Sequence, residues 1–175
     1  MDVRGEYQKF GVKNFYQFHG KDYNNPHEES IRKSIRYVYK NCDIDFSRVL
    51  DLACGKGEIT KILTKLGVKN IDAIDGYLCD LYTEETGKDC TTMTFDEIMH
   101  GKIKDKHYSV VICSFALHLL EPSKLPLFMW EMRNITDKFL ILSPHKNPII
   151  KDDWGWQLEN EIYIDRVRTR FYSAS

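Results

Sequence analysis

Val49-Leu50-Asp51-Leu52-Ala53-Cys54-Gly55-Lys56-Gly57-Glu58-Ile59-Thr60 decides the fold of this chain. An apolar strand runs into a glycine-bearing turn, and a helical pattern follows through Ile62, Leu63 and Leu66. Glycine in such a turn lets the backbone bend sharply and approach a ligand with no Cβ in the way. The helix then points unpaired N–H groups back toward the same space. Asp51, on the strand just before the turn, is expected to place a carboxylate beside it. A dinucleotide-binding G-x-G-x-x-G needs glycine at position 60, where Thr60 stands, and no P-loop lysine follows.

The segment resembles motif I of the class I S-adenosylmethionine-dependent methyltransferases, D-x-G-x-G-x-G. Gly55 and Gly57 match its second and third glycines, and Ala53 replaces the first. An alanine methyl is tolerated there if the backbone is not in a glycine-only conformation. The resemblance implies an α/β, Rossmann-like single domain with a mostly parallel seven-stranded sheet and helices on both faces. It divides the domain of residues 1–175 into an N-terminal arm or lid (1–24), a donor-binding core (25–146) and C-terminal strands (147–175). It also implies S-adenosyl-L-methionine as methyl donor and S-adenosyl-L-homocysteine as product. Asp51, Ala53, Cys54, Gly55 and Gly57 are the donor-binding candidates from this motif.

Composition agrees with one globular domain. The chain has 175 residues, 42% of them hydrophobic, enough for a real core. No apolar run approaches the ~20 residues of a membrane helix. The N-terminus lacks a hydrophobic signal region, so a cytoplasmic location is expected, with the nucleus the other option. Five cysteines without a C-x-x-C pair read as reduced thiols. A net charge of -1 provides no global field toward nucleic acid.

Apolar strand-like runs alternate with amphipathic helical patterns, as in a parallel α/β sheet. Strands are expected at Arg48–Leu52, Asn70–Ile74, Thr91–Met93, Tyr108–Cys113 and Phe139–Leu142, with a hairpin of Trp156–Ile164 and Val167–Tyr172. Asn25 reads as the N-cap of a helix running to about Lys40, with Pro26 and Glu28 completing its start. The helix after the glycine-bearing turn is expected to end near Gly67, and a later one spans about Ser123 to Asn134, with Leu127, Trp130 and Met132 among its core candidates. In extended chain Arg166, Arg168 and Arg170 share one face. The preferred reading is a solvated face, the sharper one a contact for an anionic substrate.

Other site candidates follow the family pattern. Asp75-Gly76 ends the second strand, where the resemblance implies an acid holding both ribose hydroxyls; a carboxylate suits this because its oxygens accept strong hydrogen bonds. Asp-Gly is also an ordinary turn pair. Phe95 and Asp96 correspond to the adenine-contacting loop, and otherwise read as a core aromatic and a helix cap. Ser114, after the fourth strand, faces the donor's methionine part by the same resemblance. Ser114-Phe115-Ala116-Leu117 lacks the Asn/Asp-Pro-Pro-Tyr/Phe of base-amino methyltransferases. His118 is the candidate general base and His145, with Lys146, a candidate for the acceptor side, because imidazole exchanges protons near neutral pH. His118 equally reads as a hydrogen-bonded residue at a helix head, and the His145 segment as a surface loop. No recognised metal-ligand spacing joins His118, His145 and Cys113. Aromatics at Phe15, Tyr16, Phe18 and Tyr23 suit a lid or a packed arm, and Trp154-Gly155-Trp156 suits a further wall.

The expected activity is methyl transfer to a small molecule or a protein side chain, with RNA left open by the arginine row. The rival from another class is a catalytically inactive methyltransferase-fold module that binds and stabilises a partner protein. Acceptor identity and oligomeric state are not legible in the chain.

Overall fold

The computed structural model describes residues 24–103 and 107–175. The aromatics before residue 24, expected to form a lid or packed arm, lie outside the described residues. Five parallel strands form the centre of the sheet: β1 (Val49–Leu52), β2 (Ile71–Asp75), β3 (Thr91–Thr92), β4 (Val110–Ser114) and β5 (Lys138–Ser143). A hairpin, β6 (Trp156–Ile164) and β7 (Val167–Ala174), completes the order β3-β2-β1-β4-β5-β7-β6. β7 runs antiparallel to both β5 and β6, so the seven-stranded sheet is mixed. Asp165 and Arg166 both take positive φ at the hairpin tip, the pairing a two-residue turn of matching twist requires.

Every residue of β1 is buried, as befits a strand covered on both faces. Alternation sorts its side chains. Val49 joins Val110, Ile112, Leu140 and Leu142 beneath α1 (Glu28–Asn41) and α2 (Glu58–Lys65), which contribute Ile31, Ile35, Ile59 and Leu63. Leu50 and Leu52 join Val111, Phe139 and Ile141 beneath α4 (Phe95–Met99) and α5 (Leu125–Met132). Between them in sequence, α3 (Cys79–Thr86) buries Tyr82 against Cys54 and Ala73.

Four expectations change at this level. α1 begins at Glu28 with His27 as N-cap, two residues later than expected, because the Asn25 side chain accepts the His27 N–H at 2.9 Å and holds the intervening residues in a turn. On α5 the buried residues are Leu125, Phe128, Met129 and Met132, an i, i+3, i+4, i+7 stripe, which turns Leu127 and Trp130 to solvent. Trp130 carries the Arg133 guanidinium over its ring instead. Trp156 is fully buried, packs on Phe139 and donates its indole N–H to the Met129 carbonyl at 2.8 Å, so it belongs to the core and forms no site wall. Finally, Cys79 and Cys90 are joined in a disulfide, leaving Cys42, Cys54 and Cys113 free. The bond forms because α3 carries the chain out and back, bringing the two Cα atoms to 5.2 Å.

Candidate functional site

The turn after β1 is built on alternation of handedness. Ala53, Gly55 and Gly57 all have positive φ, at 54°, 56° and 84°. Ala53 therefore does adopt the left-handed conformation that favours glycine, at a cost of about 1–2 kcal/mol. Cys54 donates to the Ile74 carbonyl at 3.1 Å, and Gly57 N–H closes on the Cys54 carbonyl at 2.8 Å. Gly57 is required by packing: a Cβ there would stand 2.4 Å from Thr86 Cγ2 and 3.2 Å from the Tyr82 ring. Gly55 meets only Glu58 Oε2, at 3.7 Å, and borders open cavity.

Asp51 does not face that cavity. It is 1% exposed, and its Oδ2 accepts from Thr60 N–H at 3.1 Å and Thr60 Oγ1 at 2.7 Å. It thereby caps the start of α2 from a neighbouring strand, a task no side chain at the Gly57 N-cap performs. Thr60 Oγ1 lies 3.0 Å from Tyr82 OH, extending the buried network to α3. Burial pushes the Asp51 carboxyl up to about 7 against the partial relief of the Thr60 bonds.

Asp75, at the end of β2, is the organiser of the site. Its Oδ2 accepts from Gly55 N–H at 3.0 Å, and its Oδ1 from Tyr77 N–H at 2.8 Å and Leu78 N–H at 2.9 Å. One carboxylate thus locks the turn to the head of α3. An ionised carboxylate has about four acceptor positions. Three are used here, which leaves one on Oδ2 for a ligand hydroxyl, fewer than the two that the resemblance implied.

A cavity of about 800 Å³ opens at the carboxyl ends of β1, β2, β4 and β5, where open α/β sheets bind ligands. Of the candidates, Ala53, Gly55, Asp75, Gly76, Phe95, Asp96, Ser114, His118 and His145 line it, whereas Asp51, Cys54, Gly57 and Lys146 do not. Phe95 is both wall and core, its ring edge-to-face with Phe128 at 5.1 Å. Thr94, not Asp96, caps α4, in a reciprocal capping box with Glu97. The Asp96 carboxylate lies at the rim, bound by Lys124 Nζ at 3.2 Å.

The other half of the cavity is rich in imidazole. His118, in a 3₁₀ turn at Leu117–Leu119, and His145, after β5, stand edge-to-face with ring centroids 5.4 Å apart. Residues Asn25 to His27 also line the cavity, and His27 packs on Phe115 with ring centroids 5.1 Å apart. Phe115 has φ of 56°, a left-handed residue held by its N–H bond to the Leu142 carbonyl at 2.9 Å. Such strain in a bulky residue is characteristic of functional positions. His27 was missed in the sequence because its role depends on where α1 starts. Glu58 also lines the cavity; burial raises its carboxyl above the usual range.

The arginine row is reduced to two. Arg166 sits in the hairpin turn, while Arg168 Nη1 and Arg170 Nε bind the Glu161 carboxylate at 2.9 and 2.6 Å. Arg170 is 7% exposed and also donates to the carbonyls of Lys146 and Pro148, so it secures the loop carrying His145. Ser143 Oγ, at the end of β5, accepts the His145 N–H at 3.1 Å and donates to the Asn147 carbonyl at 3.0 Å, holding the same loop. Among the described residues no helix is long and apolar enough to cross a membrane.

No family model matches the chain. It is similar to an uncharacterized protein of Schizosaccharomyces pombe, 28% identical in a match that covers 94% of this chain and 89% of that one. It is also similar to carboxy-S-adenosyl-L-methionine synthase of Psychromonas ingrahamii, 28% identical over 160 residues, 85% of this chain and 64% of that enzyme. Among solved structures, magnesium protoporphyrin IX methyltransferase from Synechocystis PCC 6803, crystallised with bound SAM, superposes with a TM-score of 0.69. That match covers 94% of this chain and 95% of the other at 14% identity. The chain therefore has the Rossmann-like fold of the class I SAM-dependent methyltransferases.

Proposed function

We propose that this chain is an S-adenosyl-L-methionine-dependent methyltransferase whose acceptor is a small molecule or a single protein side chain. The observation that carries the reading is Asp75, which ties the left-handed turn to α3 and still offers one acceptor position to the cavity. The surroundings fit an adenosyl sulfonium. Asp75 would take a ribose hydroxyl, Met93, Phe95 and Leu78 supply an apolar wall for a purine, and Glu58 provides a carboxylate for the cationic end. The cavity, about 800 Å³, is at the large end of the ~300–1,000 Å³ range of small-molecule sites, which supports room for a compact acceptor beside the donor.

When bound, the donor supplies an electrophilic methyl carbon that transfers to an acceptor lone pair as the carbon–sulfur bond breaks. The protein's largest contribution is alignment, an effect that can supply ~7–11 kcal/mol. Ser114 and the strained Phe115 shape the floor between the two halves of the cavity. His118 or His145 would take the proton of an acceptor that arrives protonated, worth about 10²–10⁴-fold. Arg168 and Arg170 are engaged by Glu161, which disfavours an RNA-binding role for that row.

Methyl-labelled donor incubated with protein and small-molecule fractions of a lysate tests the reading. Label leaving the nucleoside for either fraction supports it. Tight donor binding with no transfer to any fraction favours the partner-stabilising module. Label retained on a heavier nucleoside would instead point to chemistry on the donor itself, like that named for the Psychromonas relative.

A further inference from the structure

Three of the five cysteines, Cys54, Cys79 and Cys90, converge behind the segments that border the main cavity. Cys79 opens α3 directly after the Asp75–Leu78 loop, and Cys90 immediately precedes β3, whose continuation supplies Met93, Thr94 and Phe95 to the cavity wall. The disulfide thus clasps the two segments that border the ribose and purine ends of the proposed donor site. Cys54, inside the turn itself, places its Sγ 3.7 Å from that of Cys90 and packs with Ala73 and Tyr82. A second cavity, about 630 Å³, reaches Cys90 from the other side, lined by Asp72, Ala73, Asp89 and Thr91. Met93 lines both cavities and is the wall between them.

We propose that the Cys79–Cys90 bond is a thiol–disulfide exchange site for low-molecular-weight thiols, and that its redox state sets the affinity of the donor cavity. The second half of this inference rests on the donor reading above. A small thiolate entering through the second cavity attacks Cys90 Sγ; a new sulfur–sulfur bond forms, the Cys79–Cys90 bond breaks, and Cys79 leaves as a thiolate that takes a proton from solvent. A second small thiol attacks the mixed disulfide and releases the oxidised small disulfide, leaving Cys90 as a thiol. Two electrons pass from the two small thiols to the protein. Cys54 stays out of this exchange. It is 4% exposed, and burial, with the charges of Asp51 and Asp75 added, holds its thiol protonated and far above the usual range.

Reduction frees the head of α3 from the start of β3. The Tyr77 and Leu78 amides that bind Asp75, and the Met93 wall, then lose a shared covalent restraint. Linkage makes the effect reciprocal: whatever factor reduction costs in donor affinity, donor binding returns as protection of the disulfide. A tenfold factor corresponds to about 30 mV in the two-electron couple.

Calorimetric titration with S-adenosylhomocysteine, on oxidised protein and after dithiothreitol, tests this. Affinity is expected to fall on reduction by a factor in the range of about 5–150. Cys79→Ser and Cys90→Ser should bind at the reduced value with or without dithiothreitol, and Cys54→Ser should keep the full response. Equal affinity in both states overturns the proposal, as does a peptide map of the oxidised protein showing Cys79 and Cys90 as free thiols. Absence of binding in both states strikes the donor reading instead. In that case titration with glutathione decides the exchange site: glutathionylated Cys90 upholds it, and a disulfide that never exchanges refutes it.

Discussion

Replacing Asp75 separates its two tasks. In Asp75→Ala the ribose loses a charged acceptor, and the amides of Gly55, Tyr77 and Leu78 lose their partner together. A hydrogen bond to a charged group contributes about 1.5–3 kcal/mol, so the single remaining position predicts a roughly 10–150-fold loss of donor affinity. The three amides, at about 1 kcal/mol each, predict a further loss of about 2–3 kcal/mol of stability. At about 2–4 °C per kcal/mol for a domain of this size, that is a drop in Tm of about 5–10 °C. Asp75→Asn distinguishes binding from folding. Its Oδ1 can keep the Tyr77 and Leu78 amides at the head of α3, while its NH₂ group meets the Gly55 N–H as a second donor. It should stay folded with a smaller drop in Tm and still bind S-adenosylhomocysteine at least tenfold more weakly. Calorimetry and thermal melting on the same samples measure both. A folded Asp75→Asn protein binding within twofold of wild type would refute the reasoning.

Gly57→Ala should cost about 2–4 kcal/mol, from a Cβ driven into Thr86 at positive φ, and thermal melting indistinguishable from wild type would contradict that packing. Asp51, raised from 3.8 to about 7, holds its proton more tightly folded than unfolded. Its stabilising contribution is complete below the unfolded value and is lost as pH rises through about 7. Asp51→Asn, a mimic of the neutral form, should therefore gain on wild type by roughly 2–3 kcal/mol between pH 5 and 8, read from urea unfolding at each pH; a constant difference would remove the effect. His118→Ala should lower turnover on the identified acceptor about 10²-fold or more while donor affinity stays within twofold, and unchanged turnover would end its role as base.

The parts of this molecule that could be read from the chain are those set by local rules. Gly55 and Gly57 marked the turn after β1, though not the left-handed backbone at Ala53, and the β6–β7 hairpin was visible as two extended runs about one tight turn. What escaped depends on distant partners. Asp51 looked like a ligand group from its place before the turn, but the side of β1 it occupies is covered by α2, so its carboxylate caps that helix. Leu127 and Trp130 are apolar enough for a core, yet the phase of α5 is fixed by where it starts, after the 3₁₀ turn at Pro122–Lys124. His27 and the Cys79–Cys90 bond had no local spacing signal at all. The histidine enters the cavity through the capping geometry of α1, and the cysteines meet only because α3 returns the chain to β3.

The most direct measurement is a crystal structure of the protein with saturating S-adenosylhomocysteine. The account predicts a ribose hydroxyl within about 2.5–2.7 Å of Asp75 Oδ2 and the purine against Met93 and Phe95. A nucleoside seated elsewhere, or a cavity still empty at saturation with the Asp75 bonds to Gly55, Tyr77 and Leu78 undisturbed, would contradict it.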